Sequence, residues 1–165
     1  PWLFVLMCSY VITGGIISSF EAVLSKVIVL VTYMPMLMGT GGNSGSQSAT
    51  LVIRGLALGD VDTGDVLKVL WKELRVSFLI GVVLSALNFA RIYWMDGQSA
   101  LVALTVCGSM LFIVIAAKTI GSMLPMAAKK VGIDPALMAS PMIASLTDMV
   151  SVVTYFTLAT VILGI

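Results

Sequence analysis

The sequence has no histidine, only two cysteines and few charges: Asp, Glu, Lys and Arg make up 10% of its 165 residues. Ordinary soluble domains carry about 25% charged residues. Without histidine the chain lacks the side chain that titrates near neutral pH and the commonest nitrogen ligand for metals. Zinc, copper and iron sites are disfavoured accordingly. Cys8 and Cys107 both fall in apolar runs and read as small buried hydrophobes. The formal net charge is +1 and the basic residues are scattered. Nothing in that pattern suggests a nucleic-acid surface.

What the chain has in quantity is apolar surface. Hydrophobic residues make up 59% of it, and the mean hydropathy is +1.12. A soluble core of this size could not absorb so much, so the fold class is an all-α integral membrane protein. About 20 residues are needed to cross a bilayer as a helix. Five stretches qualify as spans: residues 2–20, 24–53, 76–94, 99–124 and 136–163. Together they form a single transmembrane domain over residues 1–165, with no soluble linker, long repeat or low-complexity segment. The chain begins with Pro1 rather than Met, so a fragment or processed product is expected, with soluble domains preceding it. The first apolar run has no basic leader and no small-residue cleavage site, so it is not read as a signal peptide.

The second span is too long for a simple crossing, and Pro35 with the glycines that follow should kink or unwind it. Residues 54–75 are the most charged part. Asp60, Asp62 and Thr63 offer N-cap chemistry. Val66, Leu67, Leu70, Trp71 and Leu74 follow at helical spacing, which predicts a short amphipathic helix over residues 63–75 lying at the interface. The fourth span should end at Pro125, with Lys118 near enough to that end to snorkel. Asp134 and Pro135 form a helix start, with Asp as N-cap and Pro in the first turn.

Five crossings put the connections on alternate sides. Arg54, Lys68, Lys72, Arg75, Lys129 and Lys130 fall on one side, Lys26 and Arg91 on the other. The positive-inside rule makes the first side cytoplasmic. The N-terminus is then cytoplasmic, the C-terminus external, and the location the cell membrane.

The candidate site lies in two of these segments. Residues 39–50 are Gly-rich and polar, yet both flanks are apolar. Irregular backbone survives at membrane depth only when buried in protein or lining a watery cavity. Asn43, Ser46, Gln47 and Thr50 recur at steps of three and four, as do Gly39, Gly42 and Ser46. In the fifth span Ser140, Ala144 and Asp148 recur at steps of four, so they share a face. A carboxylate at the centre of a membrane helix costs on the order of 2.5–3.5 kcal/mol, which makes Asp148 a functional candidate. The bland alternatives are a protonated Asp bonded to a neighbouring helix and plain small-residue packing. Packing accounts for the glycines but does not require the amides of Asn43 and Gln47. The available ligands are all hard oxygens, which suit Mg²⁺, Ca²⁺ or Mn²⁺. Mg²⁺ keeps several waters and touches one or two carboxylates. One Asp per chain is thin for a dication, and a two-fold homodimer would bring two Asp148 side chains to a shared axis.

The run Pro35, Gly39, Gly41, Gly42, Asn43, Ser44, Gly45, Ser46, Gln47, Ser48 through Thr50, followed by Arg54 and Gly55, resembles the membrane domain of the MgtE magnesium channels. Asp134-Pro135-Ala136-Leu137, Pro141 and Leu146-Thr147-Asp148 resemble that family's last helix, and the likeness covers essentially the whole chain. The resemblance implies a homodimeric Mg²⁺ channel of five helices per subunit, with the second and fifth lining the pore and the ion held largely hydrated. It puts the family's central acid at Asp148 and its pore-facing positions at Gly42, Ser46, Thr50 and Ala144. Ser46 is a departure, since some members carry Asn there. The resemblance also implies an N-terminal cytoplasmic Mg²⁺-sensing part that closes the pore, and none of it precedes Pro1 in this sequence. A Na⁺-coupled Mg²⁺ exchanger is the alternative transport mode.

Rival classes fare worse. Gly42-Asn43-Ser44-Gly45 matches the Gly-x-Ser-Gly pattern of rhomboid-type membrane proteases, but such a serine needs a base and the chain has no histidine. An aspartyl membrane protease needs two intramembrane acids, and by sequence only Asp148 qualifies. A structural membrane subunit would explain the small residues but not the placement of Asp148. Asp134, Asp60 and Asp62 could gather cations at the cytoplasmic mouth, though helix capping explains them more simply. Glu21 reads as a solvated loop residue.

Overall fold

The computed structural model describes residues 2–138 and 140–164, without the side chains of Trp2, Met138 and Ser140. Among the described residues the regular elements are all helical. They are α1 (Trp2–Ser19), α2 (Glu21–Lys26), α3 (Leu30–Leu58), α4 (Val66–Ala90), α5 (Ala100–Lys130) and α6 (Ser140–Leu163). A 3₁₀ turn at Thr63–Asp65 leads into α4, a π turn at Arg91–Met95 leaves it, and a second 3₁₀ turn at Pro135–Met138 precedes α6. Among the described residues, three stretches are long and apolar enough to cross a membrane: Thr63–Met95, Ala100–Lys130 and Pro141–Leu163. Leu3–Ser19 is apolar but shorter. Helix α3 has 29 residues, ample length for a crossing, but its centre is polar.

Helix α5 is the axis of the fold, with α3, α4 and α6 packed around it and α1 resting on α6. Val106, Met110, Ile113 and Val114 of α5 are almost completely buried against Leu30 and Leu37 of α3 and Val152 and Phe156 of α6. The Phe20 ring stacks on Phe156 at 5.3 Å and ties the end of α1 to this core. Tyr155 is buried, so its hydroxyl needs a partner; it donates to the Leu30 carbonyl at 3.0 Å.

The helices approach closely where their side chains vanish. A Cβ on Gly121 of α5 would fall on the Gly45 carbonyl of α3. A Cβ on Gly81 of α4 would come within 2.7 Å of Leu111 Cδ1. Small residues at helix crossings admit this kind of contact, which is how membrane helices gain packing energy. On the outside, Leu67, Trp71, Phe78, Leu79 and Val83 of α4 are exposed. Such an apolar face needs covering by lipid or protein.

Several boundaries differ from those expected. The second segment does not unwind: α3 runs as unbroken helix through Pro35 and the whole of residues 39–50. Gly41, Gly42 and Gly45 there lie against other helices, and that packing holds the stretch helical. The break comes earlier, at residues 27–29, between α2 and α3. Residues 63–75 do not form a separate helix, because Val66–Ala90 is continuous and the amphipathic stretch is its first turns. Helix α5 passes through Pro125 and ends at Lys130; membrane helices tolerate an internal proline where neighbours cover the freed carbonyl. Cys107 is buried as expected, but Cys8 is exposed on the apolar α1.

The ends carry recognisable stops. Gly59 closes α3 in the left-handed region at φ +78°, with its N–H bonded to the Gly55 carbonyl. Lys129 Nζ donates to the Leu56 carbonyl at 2.9 Å, satisfying another acceptor of that last turn. Ser99 caps α5 through Val102 N–H.

Gly121→Ala should destabilise the fold by about 1–3 kcal/mol, the usual cost of overpacking, because the added methyl meets backbone that cannot move aside. Gly14→Ala on α1, where nothing lies within 4 Å, should leave stability unchanged or slightly raised. Thermal unfolding in detergent compares the two.

Candidate functional site: the seam between two helices

Helix α3 presents three different faces over its polar stretch. Gly41, Gly45, Ser48 and Ala49 are buried against the fold, Gly42 and Ser46 are half-buried, and Asn43, Gln47 and Thr50 are exposed. The half-buried face meets α6. A Cβ built on Gly42 would sit 3.8 Å from Asp148 Oδ1, 3.9 Å from Ala144 Cβ and 3.9 Å from Thr147 Oγ1. One turn along, a Cβ on Gly45 would lie 3.0 Å from Thr147 Cγ2 and 3.1 Å from Ile143 Cγ2. At Gly41 the same atom would come within 2.6 Å of Ser151 Oγ. Absent side chains on α3 thus bring α6 close, and the acid of α6 stands beside one of them.

The hydroxyls of α6 are turned to their own backbone. Thr147 Oγ1 donates to the Ile143 or Ala144 carbonyl at 2.9 Å, and Ser151 Oγ to the Thr147 carbonyl at 2.6 Å. Asp148 differs. It is half-buried and has no hydrogen-bond or ion-pair partner among the described residues. A carboxylate with free lone pairs, next to a glycine that leaves room, can accept a cation or its waters.

Of the expected site residues, Gly42, Ala144 and Asp148 come together at this seam. Ser46 is half-buried one turn from Gly42. Asn43 and Thr50 lie on the exposed face; Thr50 Oγ1 donates to the Ser46 carbonyl at 2.9 Å. The side chain of Ser140, expected on the Asp148 face, lies outside the described residues. Ser44 sits inside unbroken helix. Capping accounts for two of the three loop acids: Asp134 accepts from Ala136 N–H at 2.9 Å, and Asp62 forms a reciprocal box with Asp65.

Sequence reasoning missed a second acid. Glu73 of α4 is buried and accepts a 3.2 Å bond from Lys118 Nζ of α5, also buried, and a short bond from the Ser48 hydroxyl of α3. Lys118 does not snorkel; it is the counter-charge in a three-helix junction. The signal was available, because Glu73, Ser77 and Gly81 recur at steps of four as the buried positions of α4. At the other end of α3, Tyr33 donates to Asp96 at 2.9 Å and Arg91 pairs with the same carboxylate at 3.4 Å. That cluster joins α3 to the turn before α5.

Residues 34–158 match the family model of MgtE, described as a divalent cation transporter. Over 163 residues the chain is 42% identical to a magnesium transporter MgtE of Thermus thermophilus, covering 98% of this chain and 36% of that protein. It is 36% identical over 161 residues to a magnesium transporter MgtE of Bacillus subtilis, covering 97% and 35%. It is 29% identical over 159 residues to one of Enterococcus faecalis, covering 96% and 35%. The chain spans about a third of the length of the curated relatives it matches.

Removing one member of the buried pair should be costly. Glu73→Ala or Lys118→Ala is expected to lose about 3–5 kcal/mol, since each leaves an uncompensated buried charge. The double variant Glu73→Leu/Lys118→Met should recover most of that loss. Unfolding midpoints of the three proteins in one detergent decide it, and additive losses would refute the pairing.

Proposed function

Because the chain belongs to the MgtE family, we propose that it forms a path for a hydrated divalent cation, Mg²⁺ first, across the cell membrane. The observation that carries this reading is Asp148: a half-buried carboxylate beside Gly42 with no partner among the described residues. In the proposed path, Asp148 supplies the charge. Gly42 and Ala144 keep the lumen wide, and Asn43, Ser46 and Thr50 offer oxygens to the ion's waters. Mg²⁺ holds its hydration shell tightly, so contacts through water are the expected mode. Mn²⁺ or Ca²⁺ would find the same oxygens.

The path needs a second copy of the chain. Asn43, Gln47 and Thr50 are exposed on a helix flanked by apolar faces. Polar side chains do not face lipid without cost. A two-fold partner would turn that face inward and place a second Asp148 near the first, giving the two charges a dication requires. In this reading all five segments cross the bilayer, with the end of α3 and the start of α4 cytoplasmic.

The test is divalent-cation uptake by liposomes carrying the purified chain. A charge-assisted contact is worth about 1.5–3 kcal/mol, so Asp148→Ala should cut Mg²⁺ uptake by roughly ten- to a hundredfold. Asp148→Asn, which keeps the shape and loses the charge, should fall nearly as far. Uptake that follows an imposed Na⁺ gradient would reassign the chain to coupled exchange. Equal uptake by native and Asp148→Ala protein would remove the acid from the path.

A further inference from the structure

Between the end of α3, the loop after it and the first turns of α4 lies a cavity of about 350 Å³. Its inner wall is the buried Glu73–Lys118 pair, and Val61 and Val69 supply apolar lining. Arg54 and Lys72 also line it, and both are exposed, which puts them at the mouth. Neither has a hydrogen-bond or ion-pair partner among the described residues. Asp60 is the remaining charged group there. Since Glu73 and Lys118 cancel, the cavity keeps two positive charges against one negative.

We propose that this cavity seats the phosphate headgroup of an anionic phospholipid, held by Arg54 and Lys72. The occupant follows from the surroundings. Lys72 lies on the same stripe of α4 as Leu79, seven residues on and exposed, so the mouth opens at the edge of that helix's apolar outer face. From that edge, round the outer face of α4, Leu79, Arg75, Phe78, Trp71 and Leu74 line an almost wholly apolar groove that shares no residue with the cavity, with Arg75 stacked on the Trp71 ring at 5.6 Å. Tryptophan and arginine together mark the level where headgroups meet acyl chains. A basic pocket between helices with an apolar groove beside it matches the two ends of a phospholipid. A free phosphate would use the charges and leave the groove unused. A zwitterionic lipid would fill the groove but bring its own positive charge against Arg54 and Lys72.

This inference rests on the chain lying in a bilayer but not on the ion path, and its test measures no flux, so failure here leaves the role of Asp148 standing. Native mass spectrometry of the full chain in detergent, given equal amounts of phosphatidylglycerol and phosphatidylcholine with matched acyl chains, reads the preference directly. The native protein should retain phosphatidylglycerol. Each basic residue removed should weaken that binding by about fivefold, so Arg54→Gln/Lys72→Gln should lose about 25-fold. Lys26→Gln/Lys130→Gln, which removes the same charge outside the cavity, should keep the preference. Both substituted pairs are exposed, so folding is not at risk. Equal retention of the two lipids by native protein would overturn the proposal. So would equal losses in the two double variants. Displacement of the lipid by millimolar inorganic phosphate would overturn it in favour of a free-anion site.

Discussion

The contact on which the rest depends is the meeting of backbones at Gly45 and Gly121, where α3 crosses α5 with no side chain between them. Lipid tails are as apolar as leucine, so helices in a bilayer gain little from hiding hydrophobic surface from each other. They gain from dense van der Waals contact, which requires small residues at the crossing. Once α3 is held against α5, its neighbouring face at Gly41 and Gly42 lies along α6. The position of Asp148 relative to the polar stretch of α3 is a consequence of that crossing. The same glycines that resemble a flexible loop are therefore what keep the helix rigid and in place.

The fold treats Glu73 and Asp148 in opposite ways. Glu73 receives a lysine and a serine hydroxyl, so its charge is cancelled where it stands. Desolvating both ions costs several kcal/mol each, and the attraction between them roughly offsets that cost. Its effect is to fix α4, α5 and α3 in one register at Ser48. Asp148 receives nothing from the described residues. A neighbouring lysine would neutralise it permanently and leave no charge for a mobile ion. The separation of Lys118 from Asp148, by commitment to Glu73, is thus a condition for the proposed path.

Much of this was legible in the sequence, and the failures have a common cause. The helical class, the Asp134 cap, and the shared face of Ala144 and Asp148 follow from local chemistry or from spacing within one helix, while the placing of Gly42 with them came from the resemblance to the MgtE family. Residues 39–50 were misjudged because glycine is neutral between an unwound backbone and a crossing helix; only the partner at Gly121 and Ile113 decides. Pro35 and Pro125 suggested breaks for the same reason, since surrounding helices determine whether a lost N–H matters. Lys118 was assigned to water by its distance from a helix end, and Glu73 was absorbed into an amphipathic surface stretch. Each is explained by the other: the step-of-four row of Glu73, Ser77 and Gly81 marks a face of α4, but nothing in that segment alone names Lys118 on another helix as the partner.

The exposed face of α3 adds a constraint that one chain cannot meet. Asn43, Gln47 and Thr50 lie uncovered on the same helix whose buried side makes the central crossing. The exposed faces of α1 and α4 are apolar and can meet lipid directly. Lipid against the amides of Asn43 and Gln47 would leave donors and acceptors without partners, a cost of several kcal/mol for each unmet group. Rotating α3 to hide them would move Gly45 away from Gly121 and lose the crossing. The fold cannot do both, so that face requires water, a second copy, or a water-filled space between two copies. The last is the arrangement in which Asp148, Gly42 and the exposed amides would all face one lumen.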